Sequence, residues 1–525
     1  MKQSRTRSFA ANIIIIFTAQ IAVKLLGMLY RMVITNIDGF GDAGNGFYSA
    51  GFQIYTLLLA VSSIGIPNAV SKLISEKAAA ADYAGTQKIF KTSLLIFAAI
   101  GALLSIGLFA FSVPIAKYII NMDGAEYTMA ALAPSIFFVC VLNVFRGYFS
   151  GVNRMNVMSA SQVIEQIFKS VLTVLFVLAA QGLPPEIMSG WANLATTAAT
   201  VLSTLYLLFM YKADGRREAG AGKAEVRRGF FSAAKEILMI AVPISLCSVI
   251  SAVNRIIDTA TITRGIERAF GAYIPAHGAA GAVYAPTAAQ LSDEAVRLAG
   301  MLSKSDTLLN LPLALNIAFA TVLVPYISKC RVVGDSLRIK EYINFSLLTS
   351  VVLVLPCAAG YIALARPIFE LIYPNAPLGY ELLQLSAISL VFTALSQTVT
   401  GALQGLGKVH LSACALAVGC VIKTVLNYIL IAVPQINIYG AVIGTISCQL
   451  AVFVIELAGL YKFAGGLSFK GMLVKPLVCC TIMFLAACFI YERVYSLLCS
   501  NAAALIISIA ISAVLYLILI LRFRI

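Results

Sequence analysis

The chain is a succession of apolar stretches, each about 20 residues long and divided by short polar segments, and few folds can accommodate that pattern. Segments 9–34, 47–71, 90–113, 128–148, 157–180, 189–211, 236–262, 305–328, 342–365, 381–403, 411–433, 440–461, 473–492 and 501–521 each carry enough apolar residues for a helix to cross the hydrocarbon of a bilayer. With 60% of its 525 residues hydrophobic and 12% charged, the chain lacks the polar side chains to clothe a water-soluble exterior of that size. An all-α, polytopic membrane protein of about 14 transmembrane helices is expected.

The net charge of +15 does not point to nucleic acid, because the basic residues sit in short loops between apolar runs and no basic stretch interleaves with aromatics. With the N-terminus inside, most of the 38 Lys and Arg fall in cytoplasmic segments, and the even number of spans returns the C-terminus to the same side. The N-terminal stretch, basic and then apolar, lacks an A-x-A-like site and carries Lys24 and Arg31 further on, so it reads as a retained first span. The eleven cysteines form no CxxC and stand with only two histidines, which excludes a zinc site and makes them small apolar side chains; no metal and no cofactor is expected.

Basic residues concentrate in the tract 212–235, which reads as a cytoplasmic linker between two similar halves. The segment from Gly147 matches the segment from Gly401, pairing Gly151 with Gly405, Arg154 with Lys408 and Lys169 with Lys423. Pro67, Ser71 and Lys72 are echoed by Pro325, Ser328 and Lys329. The organisation predicted is an N-terminal lobe of six helices (1–211), the linker (212–235), a second lobe of six (236–465) and two further helices (466–525). Duplicated halves with matching polar residues are a mark of transporters that rock one half against the other around a site between them.

Ionisable residues inside spans are costly to insert and mark cavities or partners. Gln20, Lys24, Gly27 and Arg31 lie at i, i+4, i+7 and i+11, on one face of the first span. Arg31, near the outer end, either lines a cavity or reaches the headgroups. Gln162, Glu165 and Lys169 share a face of the fifth span, where Glu165 and Lys169 at i, i+4 either neutralise each other or serve a ligand. The same alternatives hold for Arg255 and Asp258 on the seventh. Lys423 and Asn427 lie on the eleventh, with no acid in reach on that helix.

Hydroxyl stripes on the sixth span (Asn193, Thr197, Thr200, Thr204) and the tenth (Ser386, Ser389, Thr393, Ser396, Thr400) fit close helix packing better than ligand contact. Together the ionisable faces predict a net cationic cavity suited to phosphate or pyrophosphate. A cavity selecting cationic drugs calls for acids instead.

The segments Lys24 to Tyr55, Ser62 to Tyr83 and Phe145 to Lys169, with GALQGLGKVHLS and KTVLNYILI, resemble the oligosaccharide and polysaccharide flippase branch of the MATE-like superfamily, near the stage V sporulation protein B group and its lipid II flippase relative. The resemblance implies two pseudo-symmetric six-helix lobes around a V-shaped cavity, with the last two helices forming a groove for a lipid tail. It places a cavity arginine at Arg31 and a second at Arg255. It also suggests a coupling-ion site, for Na+ or H+, with oxygens from Asp258, Asn427 and Thr445, although a second acid of that pattern is absent. The outer loop 263–304, long and rich in Ala and Gly, departs from the family.

The reading is a flippase for a lipid-linked sugar pyrophosphate such as lipid II, working by alternating access in cell-wall or spore-cortex biogenesis, monomeric among membrane lipids. Its headgroup would meet Lys24, Arg31, Glu165, Lys169, Arg255 and Lys423. A cation-coupled multidrug antiporter of the same fold is the alternative. A membrane glycosyltransferase fits less well, since the chain has no DxD, and His277 and His410 stand isolated in loops.

Overall fold

A computed structural model describes residues 2–63, 65–213, 230–277, 288–464 and 470–523. Fifteen α-helices follow one another in these residues: α1 (Lys2–Thr35), α2 (Gly41–Ser63), α3 (Gly65–Ala79), α4 (Tyr83–Pro114), α5 (Ala125–Gly151), α6 (Met155–Ala179), α7 (Pro185–Ala213), α8 (Phe230–His277), α9 (Ala288–Val333), α10 (Ser336–Ile372), α11 (Tyr380–Gly405), α12 (Val409–Leu430), α13 (Tyr439–Ala464), α14 (Lys470–Leu498) and α15 (Asn501–Arg522). A π-helical segment, Ile115–Ile120, prolongs α4 beyond Pro114. Eleven candidate spans among the described residues are long and apolar enough to cross a membrane, α2 and α3 counting together as one. They correspond to all the predicted segments except the first, seventh and eighth, which fall on α1, α8 and α9. Those three are helical too.

One local expectation needs correction. The predicted loop 263–304 is helical wherever it is described, since α8 runs on to His277 and α9 starts at Ala288. Alanine is the best helix former, and the acidic and basic side chains of these stretches are good ones. The predicted second span, 47–71, falls within the candidate span Gly41–Ala78 that α2 and α3 form. The linker prediction cannot be followed through, because residues 214–229 lie outside those described.

The chain forms two compact units, Met1–Ala260 and Thr261–Ile525. The first packs α5 against α2, α3, α4 and α7, and α6 against α1 and α7. The second packs α11 against α9, α10 and α13, and α12 against α13. Its core gathers Leu323, Ile327, Leu347, Val351, Val399, Leu403 and Leu460.

Backbone signatures recur between the units at a nearly constant interval. Asp82 caps α4 by accepting from the Gly85 amide, and Asp335 caps α10 by accepting from Arg338 (335 − 82 = 253). Gly124 and Gly379, at φ 98° and 95°, open α5 and α11, each followed two residues on by a glutamate (379 − 124 = 255). The ends of α5 and α11 match bond for bond. Arg154 N donates to Phe149 O at 2.7 Å and Lys408 N to Leu403 O at 2.8 Å; Asn153 N donates to Ser150 O and Gly407 N to Gln404 O. Both are Schellman caps with a left-handed residue, Asn153 (φ 62°) or Gly407 (φ 70°), one position beyond the cap (407 − 153 = 254).

The paired glycines have a packing role. A Cβ on Gly147 would stand 2.8 Å from Val70 Cβ and 3.0 Å from the Pro67 carbonyl oxygen, and one on Gly401 would stand 2.9 Å from the Ala320 carbonyl oxygen. Gly151 and Gly405 meet Ile74 and Ile327 as closely. Small residues four apart thus let α5 approach α3, and α11 approach α9, as in membrane helix pairs generally.

The remaining pair, α14 and α15, docks on α10. Cys479, Cys480, Met483 and Tyr516 pack against Val352 and Leu355, and the Tyr516 hydroxyl donates to Val352 O at 3.0 Å. On α9, Lys304 is fully buried yet satisfied: its Nζ donates to Ala376 O (2.6 Å) and Leu378 O (2.9 Å), with the rings of Phe369 and Tyr373 at 5.3 Å.

Gly147→Ala and Gly401→Ala are each expected to destabilise the protein by about 1–3 kcal/mol through forced separation of the helix pair, despite a helix-propensity gain of about 1 kcal/mol. Gly107→Ala and Gly360→Ala, where a Cβ meets nothing within 4 Å, should be neutral or stabilising. Thermal unfolding in detergent compares the four; equal behaviour would contradict the close-approach argument.

Candidate functional site

Two polar helix faces meet in the first unit. The face of α1 that carries Gln20, Lys24, Gly27 and Arg31 runs along α6, where Gln20 Nε2 donates to Gln162 Oε1 at 3.1 Å and Gly27 lies against Gln166. Lys24 is exposed and lies within electrostatic reach of Lys169 and Arg255. Three cations thus share one neighbourhood, a costly arrangement in an apolar medium unless water or an anion attends it.

Glu165 does not neutralise Lys169. It pairs with Arg146 of α5, whose Nη2 lies 2.6 Å from Glu165 Oε2 and whose Nε donates to Ser161 Oγ at 3.0 Å. The side chains of this pair are only 12% and 24% exposed. Lys169 turns instead to aromatic faces, its Nζ 4.5 Å from the Phe52 ring centroid and 5.9 Å from that of Tyr30. The Arg31 guanidinium stacks 4.3 Å over Tyr48, whose hydroxyl is 3.0 Å from that of Tyr30. Tyr48, Phe52 and Tyr55, at i, i+4 and i+7 of α2, form a continuous aromatic face. Cation–π contacts of this kind orient a positive group without consuming its charge.

Beside them opens a cavity of about 410 Å³, lined among others by Phe52, Tyr55, Asn143, Arg146, Glu165 and Lys169. Its wall offers an aromatic side, amides, and a lysine not spent on the acid. That combination suits a ligand with both a sugar-like face and a negative group.

The other predicted residues are placed as follows. Arg255 and Asp258 lie on α8 in the first unit, Arg255 exposed and Asp258 half-buried. Lys423 and Asn427 lie in the second unit on the buried face of α12 and are 2% and 0% exposed, so Lys423 is enclosed where Lys24 and Arg255 are open. Asn427 Nδ2 donates to Thr261 Oγ1 at 3.0 Å, and Gly444 of α13 gives Asn427 Oδ1 room that a methyl group would fill. Thr445 Oγ1 donates to Ala441 O in its own helix. The hydroxyl stripe on α7 serves packing, Thr197 donating to Ala131 O at 2.6 Å across to α5.

Sequence reasoning missed Arg146 and the aromatic face of α2. Arg146 lies within a predicted span and has no acid one turn away on its own helix, which was the available signal; its partner on α6 follows only from the fold. The i, i+4, i+7 spacing of Tyr48, Phe52 and Tyr55 was visible but is shared by many core helices.

Arg146→Ala is expected to cost about 2–3 kcal/mol, since it strands the Glu165 carboxylate, whereas Lys169→Ala should cost less than about 1 kcal/mol. Thermal unfolding of the purified variants reads the difference; an Arg146→Ala protein as stable as the parent would refute the ion-pair assignment.

Comparison with known proteins agrees with this architecture. The family model described as polysaccharide biosynthesis protein matches residues 9–331, and the MatE model matches residues 289–429. Stage V sporulation protein B of Bacillus subtilis (strain 168) is 25% identical over 549 residues, covering 99% of this chain and 96% of that protein. Lipid II flippase MurJ of the same organism is 25% identical over 451 residues, covering 80% and 77%. Among solved structures, lipid II flippase MurJ in an inward closed conformation superposes with a TM-score of 0.70 at 16% identity, covering 97% of this chain and 99% of that one. The chain is a multi-pass membrane protein with this fold.

Proposed function

The chain belongs to the polysaccharide biosynthesis protein family, within the MATE-like superfamily, and on that premise we propose that it is a flippase carrying a lipid-linked anionic sugar precursor across the cytoplasmic membrane. The cargo class is an undecaprenyl-type lipid bearing a sugar pyrophosphate, lipid II or a related polysaccharide unit, used in building cell wall or spore cortex. The observation that carries the reading is the cationic set of the first unit, Lys24, Arg31, Lys169 and Arg255, of which Arg31 and Lys169 lie over aromatic rings of α2, while Arg146 engages Glu165.

Each part of the cargo has a counterpart in these residues. Pyrophosphate oxygens take charge-assisted hydrogen bonds from guanidinium and ammonium groups, strongest where water is scarce. Sugar rings lie against aromatic faces with hydroxyls turned to amides such as Asn143 and Gln162. The polyprenyl tail stays in lipid, against the exposed apolar surfaces of α14 and α15, which include Phe489, Leu485, Ile506 and Leu517. Alternating access of the two halves moves the headgroup without moving the tail out of hydrocarbon. Both termini lie on the cytoplasmic side, the protein acts as a monomer, and the work is transport without bond chemistry. Lys423 reaches the headgroup only if α12 and α13 part around it.

In proteoliposomes given a fluorescent lipid-linked sugar pyrophosphate, Arg31→Ala and Arg255→Ala are each expected to lower the initial translocation rate roughly ten- to hundred-fold, the equivalent of one lost charge-assisted contact. Lys24→Ala should act in the same direction, and Lys24→Arg should restore part of the rate. Full translocation by Arg31→Ala and Arg255→Ala together would overturn the headgroup assignment. Since the MatE model also matches, the same vesicles are to be tested for efflux of a cationic dye; dye export without lipid translocation would establish the antiporter reading instead.

A further inference from the structure

One buried acid of the second unit has no role in the site described above. Glu456 lies on α13, about three turns beyond Thr445, and is 1% exposed. Its Oε1 accepts a hydrogen bond from Thr400 Oγ1 of α11 at 2.6 Å. Its Oε2 has no hydrogen-bond partner among the described residues. Ser412 of α12 adjoins the same carboxyl, and its own hydroxyl, 8% exposed as a residue, likewise lacks a hydrogen bond of good geometry. Ser396, one turn from Thr400 on α11, is also buried with its hydroxyl unbonded.

Among the described residues, no positive charge acts on this carboxyl. Besides burial, the groups acting on Glu456 are the hydroxyls of Thr400 and Ser412, and no charged side chain described on α10, α11 or α12 adds to them. The basic groups nearby in sequence are Lys408 and His410, at the α11–α12 junction, and Lys462. Lys408 Nζ sits 4.6 Å over the Phe463 ring. The internal duplication sharpens the point. Thr400 occupies the position equivalent to Arg146 (146 + 254 = 400), so the first unit places a guanidinium where the second places a hydroxyl. Glu165 therefore has its own cation, whereas Glu456 has none among the described residues.

A carboxylate in a low-dielectric interior needs a positive partner, and oxygen atoms alone do not provide one. We propose that Glu456, with Thr400 and Ser412, is an exchange site for a small monovalent cation, a proton or a sodium ion, taken up at Oε2. A proton there would be donated onward as a hydrogen bond to Ser412 Oγ; a sodium ion would take its hard oxygen ligands from the carboxylate and the hydroxyls. This site is separate from Asp258, Asn427 and Thr445. The binding rests on its own geometry; only its use as a driving ion rests on the transport reading.

The experiment needs no lipid substrate. Infrared difference spectra of the purified full-length protein are recorded between acidic and alkaline pH, in sodium chloride and in choline chloride. A protonated-carboxyl band that titrates in both salts, is absent from Glu456→Gln and is shifted in Thr400→Val supports proton exchange. The same band suppressed by sodium but not by choline supports sodium exchange. Identical spectra for the parent and Glu456→Gln in both salts overturn the site. Thr400→Val guards against misfolding of the acid variant: if its band is not shifted from the parent's, the proposed hydroxyl contact is overturned.

Discussion

Glu165 has two bases to choose between, Lys169 one turn along its own helix and Arg146 on α5, and the fold commits it to Arg146. That choice governs the electrostatics of the first unit. Had Glu165 paired with Lys169, the polar face of α6 would be neutral in itself and Arg146 would be an uncompensated charge in the α5 packing. Paired as it is, Arg146 satisfies a guanidinium held between helices, with Ser161 taking a further N–H, and Lys169 keeps its charge beside Phe52 and Tyr30. An ion pair of this burial adds little net stability, because desolvating two charges consumes most of their attraction. Its effect is to fix which charges remain for a ligand.

The membrane sets a second constraint, that backbone groups be satisfied within the chain. Helix ends are where this is hardest, and the same solutions recur in both units: an aspartate cap at Asp82 and Asp335, left-handed glycines at Gly124 and Gly379, and paired Schellman caps closing α5 and α11. The duplication has therefore kept its helix-end and helix-contact residues, whereas Arg146 and Glu165 have no ionisable counterpart in the second unit. Asn153 in place of a glycine shows the tolerance: its short polar side chain accepts the left-handed conformation at modest cost.

Fold class and repeat were legible because both are written in local chemistry. Twenty apolar residues in a row specify a spanning helix, and the Gly147–Gly151 and Gly401–Gly405 pairs, with the left-handed positions 153 and 407, mark the repeat register before any contact is known. Pairing between helices was not legible. The spacing of Lys24 and Arg31 identified a polar face of α1, but only the fold shows that it lies along α6, or that Arg31 rests on Tyr48. Lys423 illustrates the limit from the other side. Its match to Lys169 at the repeat interval suggested a shared cavity role, yet α13 closes over it, helped by small residues such as Gly419 and Gly444 that bring the two helices together. The helical extensions of α8 and α9 were misread as loop because alanine and glycine together imitate a linker composition, whereas alanine alone favours helix.

The two units differ at their ionisable positions. Lys169 and Lys423 persist at equivalent positions, whereas Arg146 and Glu165 of the first unit are matched by Thr400 and Gly419 in the second. With Gly419 at the position equivalent to Glu165, α13 approaches α12 there through Cys448 and Val452, and Lys423 is enclosed. At the position equivalent to Arg146, Thr400 meets a carboxylate from a different helix, Glu456 of α13. The first unit thus presents half-buried cations beside an aromatic face, and the second holds an enclosed lysine and an enclosed acid bonded to the Thr400 hydroxyl. A duplicated scaffold that sets cations beside aromatic rings in one half, and encloses a lysine and an acid in the other, has chemically unequal halves.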